Sequence, residues 1–100
     1  MKTEIILACA RAFNVPTSRL KGFARDGGAR EARFALYSAL HQRGHSYSSI
    51  GLMLDRHHST VLHGVREANK LAAQCPDFAA KVAELVALRP KHVYTEELGA

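Results

Sequence analysis

One hundred residues make about one domain with a single modest core. Apolar residues are 47% of the chain, which argues against disorder, and no run of 18 apolar residues exists to span a membrane as a helix. Lys and Arg total 14 against 9 Asp and Glu, a net charge of +5 with a pI near 9.6, so a polyanion is the favoured partner.

Apolar spacing is helical nearly throughout, and the expected class is all-α. Thr3 is placed to cap a helix reaching about Phe13, with Ile6, Cys9, Ala10 and Phe13 on one face and Asn14 and Pro16 as its stop. Glu4 and Arg11 interrupt the apolar start, so this segment reads as a mature helix of a cytoplasmic protein rather than a signal peptide. Thr17 or Ser18 starts a short turn that buries Leu20. The segment LKGFARDGGA, with three glycines and Asp26, predicts a basic loop. A helix follows from about Ala29 to Arg43, with Phe34, Tyr37 and Leu40 as its core stripe, Leu36 beside them and Gly44 as its stop.

Ser46 caps a short helix from about Tyr47 to Leu54, with Ile50, Met53 and Leu54 inward. Asp55 and Arg56 turn the chain. The next helix runs from about His58 to Gln74, burying Val61, Leu62, Val65, Ala68 and Ala72 with Leu71 at the edge. A last helix, about Asp77 to Leu88, puts Phe78, Val82, Leu85 and Val86 on one face. The domain is expected to cover residues 1–89, with 90–100 as a flexible tail. With no CxxC, Cys9 and Cys75 are expected to be reduced, partly buried thiols.

The run SYSSIGLMLDRHHSTVLHGV has the logic of a helix-turn-helix. Ile50 faces the core, Gly51 stands where two helices cross, and Leu54 precedes a tight turn. The second helix begins with small polar residues and then buries Val61 and Val65, which suits a helix offering its N-terminal end to the DNA major groove. A plain helical hairpin is the bland alternative. Away from the core, Ser59, Thr60, His63, Arg66 or Glu67, and Lys70 recur at helical spacing, and most are donors. Arg19, Lys21, Arg25, Arg30 and Arg33 form a second basic set around the glycine-rich loop. Two basic sets flanking a reading helix are what a groove-plus-backbone clamp requires.

IGLMLDRHHSTVLHGVR resembles the signature of the C-terminal DNA-binding domain (domain IV) of the bacterial replication initiator DnaA. That signature is Ile-Gly, a few residues, then Gly-Arg-Asp-His-(Ser/Thr)-Thr-Val-Leu-His-Ala, matched here by Ile50, Gly51, Arg56, His58, Ser59, Thr60, Val61, Leu62 and His63. The layout of helix, short helix, basic loop and long helix extends the resemblance to about residues 3–89. It implies a helix-turn-helix bundle of about five to six helices, Trp-repressor-like, that binds a short box in duplex DNA. By the same carry-over His58, Ser59 and Thr60 contact bases, Arg56 and His63 lie beside them, and Arg30 enters the minor groove. With Arg33, Ser46, His57 and Arg66 these make up the candidate DNA-binding set.

Two departures stand out. His57 replaces the signature's Asp, and the turn before it is one residue shorter. Asp accepts hydrogen bonds, as from a cytosine amino group, whereas neutral His has one donor and one acceptor and charged His only donates, so the box preference is expected to be changed or lost. The second arginine common in the basic loop is displaced, with Ala32 and Arg33 in its place. No GxxxxGK[ST] occurs, so a stand-alone or excised relative of the domain is expected rather than an initiator.

Other readings are weaker. His57 and His58, as neighbours on a helix, would point about 100° apart, His58 and His63 also split between faces, and no HExxH occurs, so neither a metal nor any other cofactor is expected. Ser59 beside His58 is not a triad, and no enzyme is expected. If His57 or His58 meets phosphate as a cation, binding weakens as pH rises through the histidine range near about 6.5. The rival function is an adaptor that binds the initiator or its regulatory ATPase partner, for which the apolar face of the last helix is the candidate surface.

Overall fold

The computed structural model describes residues 2–22 and 27–88, the side chain of Lys2 excepted. Six helices occupy them: α1 (Lys2–Phe13), α2 (Thr17–Lys21), α3 (Gly27–Gln42), α4 (Tyr47–Leu54), α5 (His58–Gln74) and α6 (Pro76–Ala87), and no strand occurs among the described residues. The class is all-α, as expected. Arg25, and the tail from residue 90 with its proposed flexibility, lie outside the described residues.

The core gathers around α3, which packs against each of the other five helices. Ile5, Leu20, Ile50, Val61 and Leu85 are its largest fully buried apolar side chains, one from each surrounding helix with α6 included. Leu36, Tyr37 and Leu40 line α3's contribution as expected, whereas Phe34 is only partly buried. Small residues let the neighbours close in: Ala29, Ala32, Ala35 and Ala39 are all fully buried. Leu62, expected inside, is half-exposed, because Gly64 and Val65 take the side of α5 that faces α3.

Local signals set most helix ends. Asn14 (φ 55) and Gly44 (φ 104) adopt the left-handed conformation just beyond α1 and α3. The Ser46 side chain accepts the Ser49 N–H at 3.1 Å and caps α4. The expected loop is shorter than its composition suggests, because Gly27 and Gly28 belong to α3. Tertiary packing of a long helix overrides the roughly 1 kcal/mol per glycine of poor propensity.

Two glycines are required by close approach. A Cβ on Gly51 would strike the Arg56 carbonyl oxygen, so this residue sets how tightly the turn folds back on α4. A Cβ on Gly64 would strike the Tyr37 ring, so α5 lies on α3 at a distance only glycine permits. The α6 face proposed for an adaptor is covered: Phe78, Val82 and Leu85 are buried in the chain's own core, and Phe78 meets Phe13 edge-on at 5.8 Å.

Candidate nucleic-acid interface

The α4–α5 pair crosses through a three-residue turn. Asp55 takes the left-handed conformation (φ 57), and the Arg56 N–H closes the turn by donating to the Gly51 carbonyl at 2.8 Å. His57 is the N-cap of α5 in extended conformation (φ −70, ψ 146). Its Nδ1 accepts the Ser59 N–H at 3.1 Å and lies 2.7 Å from the Ser59 hydroxyl. His57 thus fills the capping role that Asp, Asn, Ser or Thr usually takes.

Because His57 stands outside the helix, the expected 100° separation from His58 does not occur. The two imidazoles pack together with centroids 4.4 Å apart and planes tilted by 32°. The cap also bears on the expectation of a cationic histidine. The lone pair that holds the Ser59 N–H exists only on an unprotonated Nδ1, so the observed cap uses His57 in its neutral form.

The first turn of α5 is open to solvent. His58, Ser59 and Thr60 are exposed, as are His63 and Arg66 further along the same outer side. Thr60, His63 and Glu67 line one wall of a groove of about 490 Å³, and Arg30, Arg33 and Phe34 from α3 line the other. Arg30 is exposed one turn into α3. The Phe34 ring supports the His63 imidazole edge-on at 6.1 Å. Glu67, the dissenting acid, pairs with Lys70 at 3.2 Å, which offsets part of its repulsion toward an anion.

Arg33, expected in the clamp, and Arg56, expected beside the base contacts, are both engaged with backbone carbonyls. Arg33 is 9% exposed, and its Nη1 donates to the carbonyls of Arg19 (3.0 Å) and Gly22 (3.3 Å). Arg56 is half-buried and donates through Nη2 to the carbonyls of Lys21 (3.0 Å) and Gly22, and through Nη1 to those of Leu54 (3.3 Å) and Asp55 (3.2 Å). Two guanidinium groups thus converge on the C-terminal end of α2, where helix carbonyls lack intrahelical partners and the dipole favours a cation. Arg33 is therefore a positioning residue rather than an exposed clamp residue. Arg56 ties the helix-turn-helix turn to the C-terminal end of α2. Beneath this tie lies a mainly apolar cavity of about 170 Å³, with Ile6, Leu20, Leu36 and Met53 in its walls.

Ser46, the remaining candidate, is exposed, and its hydroxyl oxygen is engaged in capping α4. Arg43, which sequence reasoning did not single out, donates to the carbonyls of Leu85 (3.3 Å), Val86 (2.8 Å) and Leu88 at the end of α6. No local signal announces a contact across more than 40 positions. The cysteines part company: Cys9 is buried and donates to the Ala32 carbonyl at 3.2 Å, whereas Cys75 is exposed. Burial pushes the Cys9 thiol up to about 12. No group of three or more His, Cys, Asp or Glu is gathered closely enough among the described residues to hold a metal ion.

An exposed helix start beside a basic groove, on a short helix crossed at a glycine, is the arrangement of a DNA-reading helix-turn-helix. The family model described as the bacterial DnaA protein helix-turn-helix matches residues 3–68. This chain belongs to that family. No curated protein matches the chain. The match spans α1 through most of α5, less than the 3–89 expected from the motif, and it includes every candidate contact residue. Membership of the DnaA helix-turn-helix family supports DNA binding as the general function. No helix among the described residues is long and apolar enough to cross a membrane.

Proposed function

We propose that this chain is a sequence-reading binder of double-stranded DNA that modulates chromosome replication initiation or transcription, and that it acts by binding rather than catalysis. His58, Ser59 and Thr60 enter the major groove with the start of α5. Arg30 reaches the backbone and the adjacent minor groove, and Arg66 and His63 steady the helix against phosphates. The observation that carries this reading is the exposed first turn of α5 beside the α3–α5 groove, with Arg30 across from Thr60 and His63. The adaptor alternative loses its candidate surface, since the apolar face of α6 is buried against the domain itself.

The test is fluorescence anisotropy at fixed, near-physiological salt with three duplexes: one carrying a DnaA box, one with the same bases scrambled, and one selected by the protein from a random pool. The expected result is binding to the box or the selected site at least about tenfold tighter than to the scramble, roughly 1.4 kcal/mol. Thr60→Ala should erode that ratio. Weak and equal binding to all three would defeat the proposal.

A further inference from the structure

Resting on that reading, we propose that His57 is a specificity-determining residue and that the cap it makes decides what it reads. It donates through Nε2–H to a base edge that carries an acceptor, guanine or thymine, and discriminates against cytosine.

The proton count on the His57 ring sets its outward group. The Ser59 backbone N–H donates to Nδ1 at 3.1 Å. A nitrogen that accepts an N–H carries no proton of its own, so the Ser59 hydroxyl, 2.7 Å away, also donates to it. A neutral imidazole holds one proton, and with Nδ1 bare that proton is on Nε2. Nε2 lies across the ring from Nδ1, so its N–H is directed away from the start of α5. His57 is exposed, and no hydrogen bond among the described residues engages Nε2.

The ring is also held in place. The cap fixes one edge, and the His58 ring packs on one face at 4.4 Å. The donor is therefore preorganised before DNA arrives, which lowers the ordering cost of using it. In the major groove guanine offers N7 and O6, and thymine offers O4, whereas cytosine presents only its amino group and adenine sets an amino donor beside its N7. A fixed donor suits the first two and leaves two donors facing each other at the third. The same count makes Ser59 complementary. Its hydroxyl proton is engaged by Nδ1, so Oγ meets DNA as an acceptor and suits the amino groups of cytosine or adenine.

Two substitutions isolate the outward group. Asn and Asp are both strong N-caps, so His57→Asn and His57→Asp each keep an acceptor for the Ser59 N–H. Asn then presents an NH₂ donor outward, and Asp presents a second acceptor. Sites are selected from random duplex pools with wild type and both variants, and affinities are measured for all four bases at each selected position. At one common position wild type and His57→Asn should favour guanine or thymine over cytosine by roughly tenfold, and His57→Asp should shift that preference toward cytosine by a similar factor. Identical selected sites for wild type and His57→Asp, with thermal melting confirming that both are folded, would overturn the inference. So would a wild-type preference for cytosine at the position that His57→Asp changes. If wild type selects no sequence at all, the sequence-reading proposal itself fails and this inference falls with it.

Discussion

Five arginines among the described residues fall into two groups that look alike in the sequence and differ in the fold. Arg30, on the wall of the α3–α5 groove, and Arg66, on the outer side of α5, stand exposed, whereas Arg33, Arg43 and Arg56 are drawn inward onto backbone carbonyls at the ends of helices. Helix C-termini explain the difference. Each leaves carbonyls without intrahelical partners at the negative end of the dipole, and a planar guanidinium satisfies several at once. Net charge therefore overstates the surface offered to a polyanion, because part of the +5 is committed to holding α2, the turn and α6 in place.

The largest expected effect breaks an inward contact. Arg33→Met keeps the apolar stem and removes the donors, taking the guanidinium bond from the Arg19 carbonyl and leaving the Gly22 carbonyl to Arg56 alone. Chemical denaturation should show a loss of about 2 kcal/mol, in the range for hydrogen bonds to charged groups. A change under about 0.5 kcal/mol would return Arg33 to the surface group.

Arg30→Ala sharpens the comparison from the other side. Stability should stay within about 0.5 kcal/mol of wild type. Binding should weaken on specific and scrambled duplexes alike, and the slope of log affinity against log salt should fall by about 1. A stability loss equal to that of Arg33→Met would abolish the distinction between the groups.

The two thiols offer the smallest effect on the fold and the clearest readout. Iodoacetamide at pH 8 should modify Cys75 in the native protein and leave Cys9 intact, since the Cys9 thiol is buried and pushed up to about 12. The sign follows from linkage. The folded state favours the neutral thiol, so its stabilising contribution is present below the ordinary value of 9.0 and is lost as pH rises from there toward 12. Modification of both thiols at equal rates would contradict this burial.

Much of the fold was legible in the sequence because its signals are local. Ser46, Asn14 and Gly44 mark helix ends within a turn of themselves, and the apolar spacing of Val61, Val65 and Ala68 locates the inner side of α5. Gly51 was legible as a crossing point because the helix-turn-helix pattern demands a small residue there. What escaped was non-local. The contact of Gly64 with the Tyr37 ring, the Arg43 bonds to the end of α6 and the convergence of Arg33 and Arg56 on α2 join distant positions that no periodicity links. The packing of His57 on His58 escaped for a subtler reason. Helical spacing does not apply to His57, which stands in the extended cap rather than in the helix. The candidate site was legible as a set of residues, but which of them face outward depends on the fold.

The measurement that tests the central claim most directly is an amide chemical-shift footprint of the isotope-labelled protein, titrated with the selected duplex at fixed salt. The account predicts the largest shifts along His58–His63 and around Arg30, with α6 little changed. Shifts concentrated on α6, with the first turn of α5 undisturbed, would contradict it.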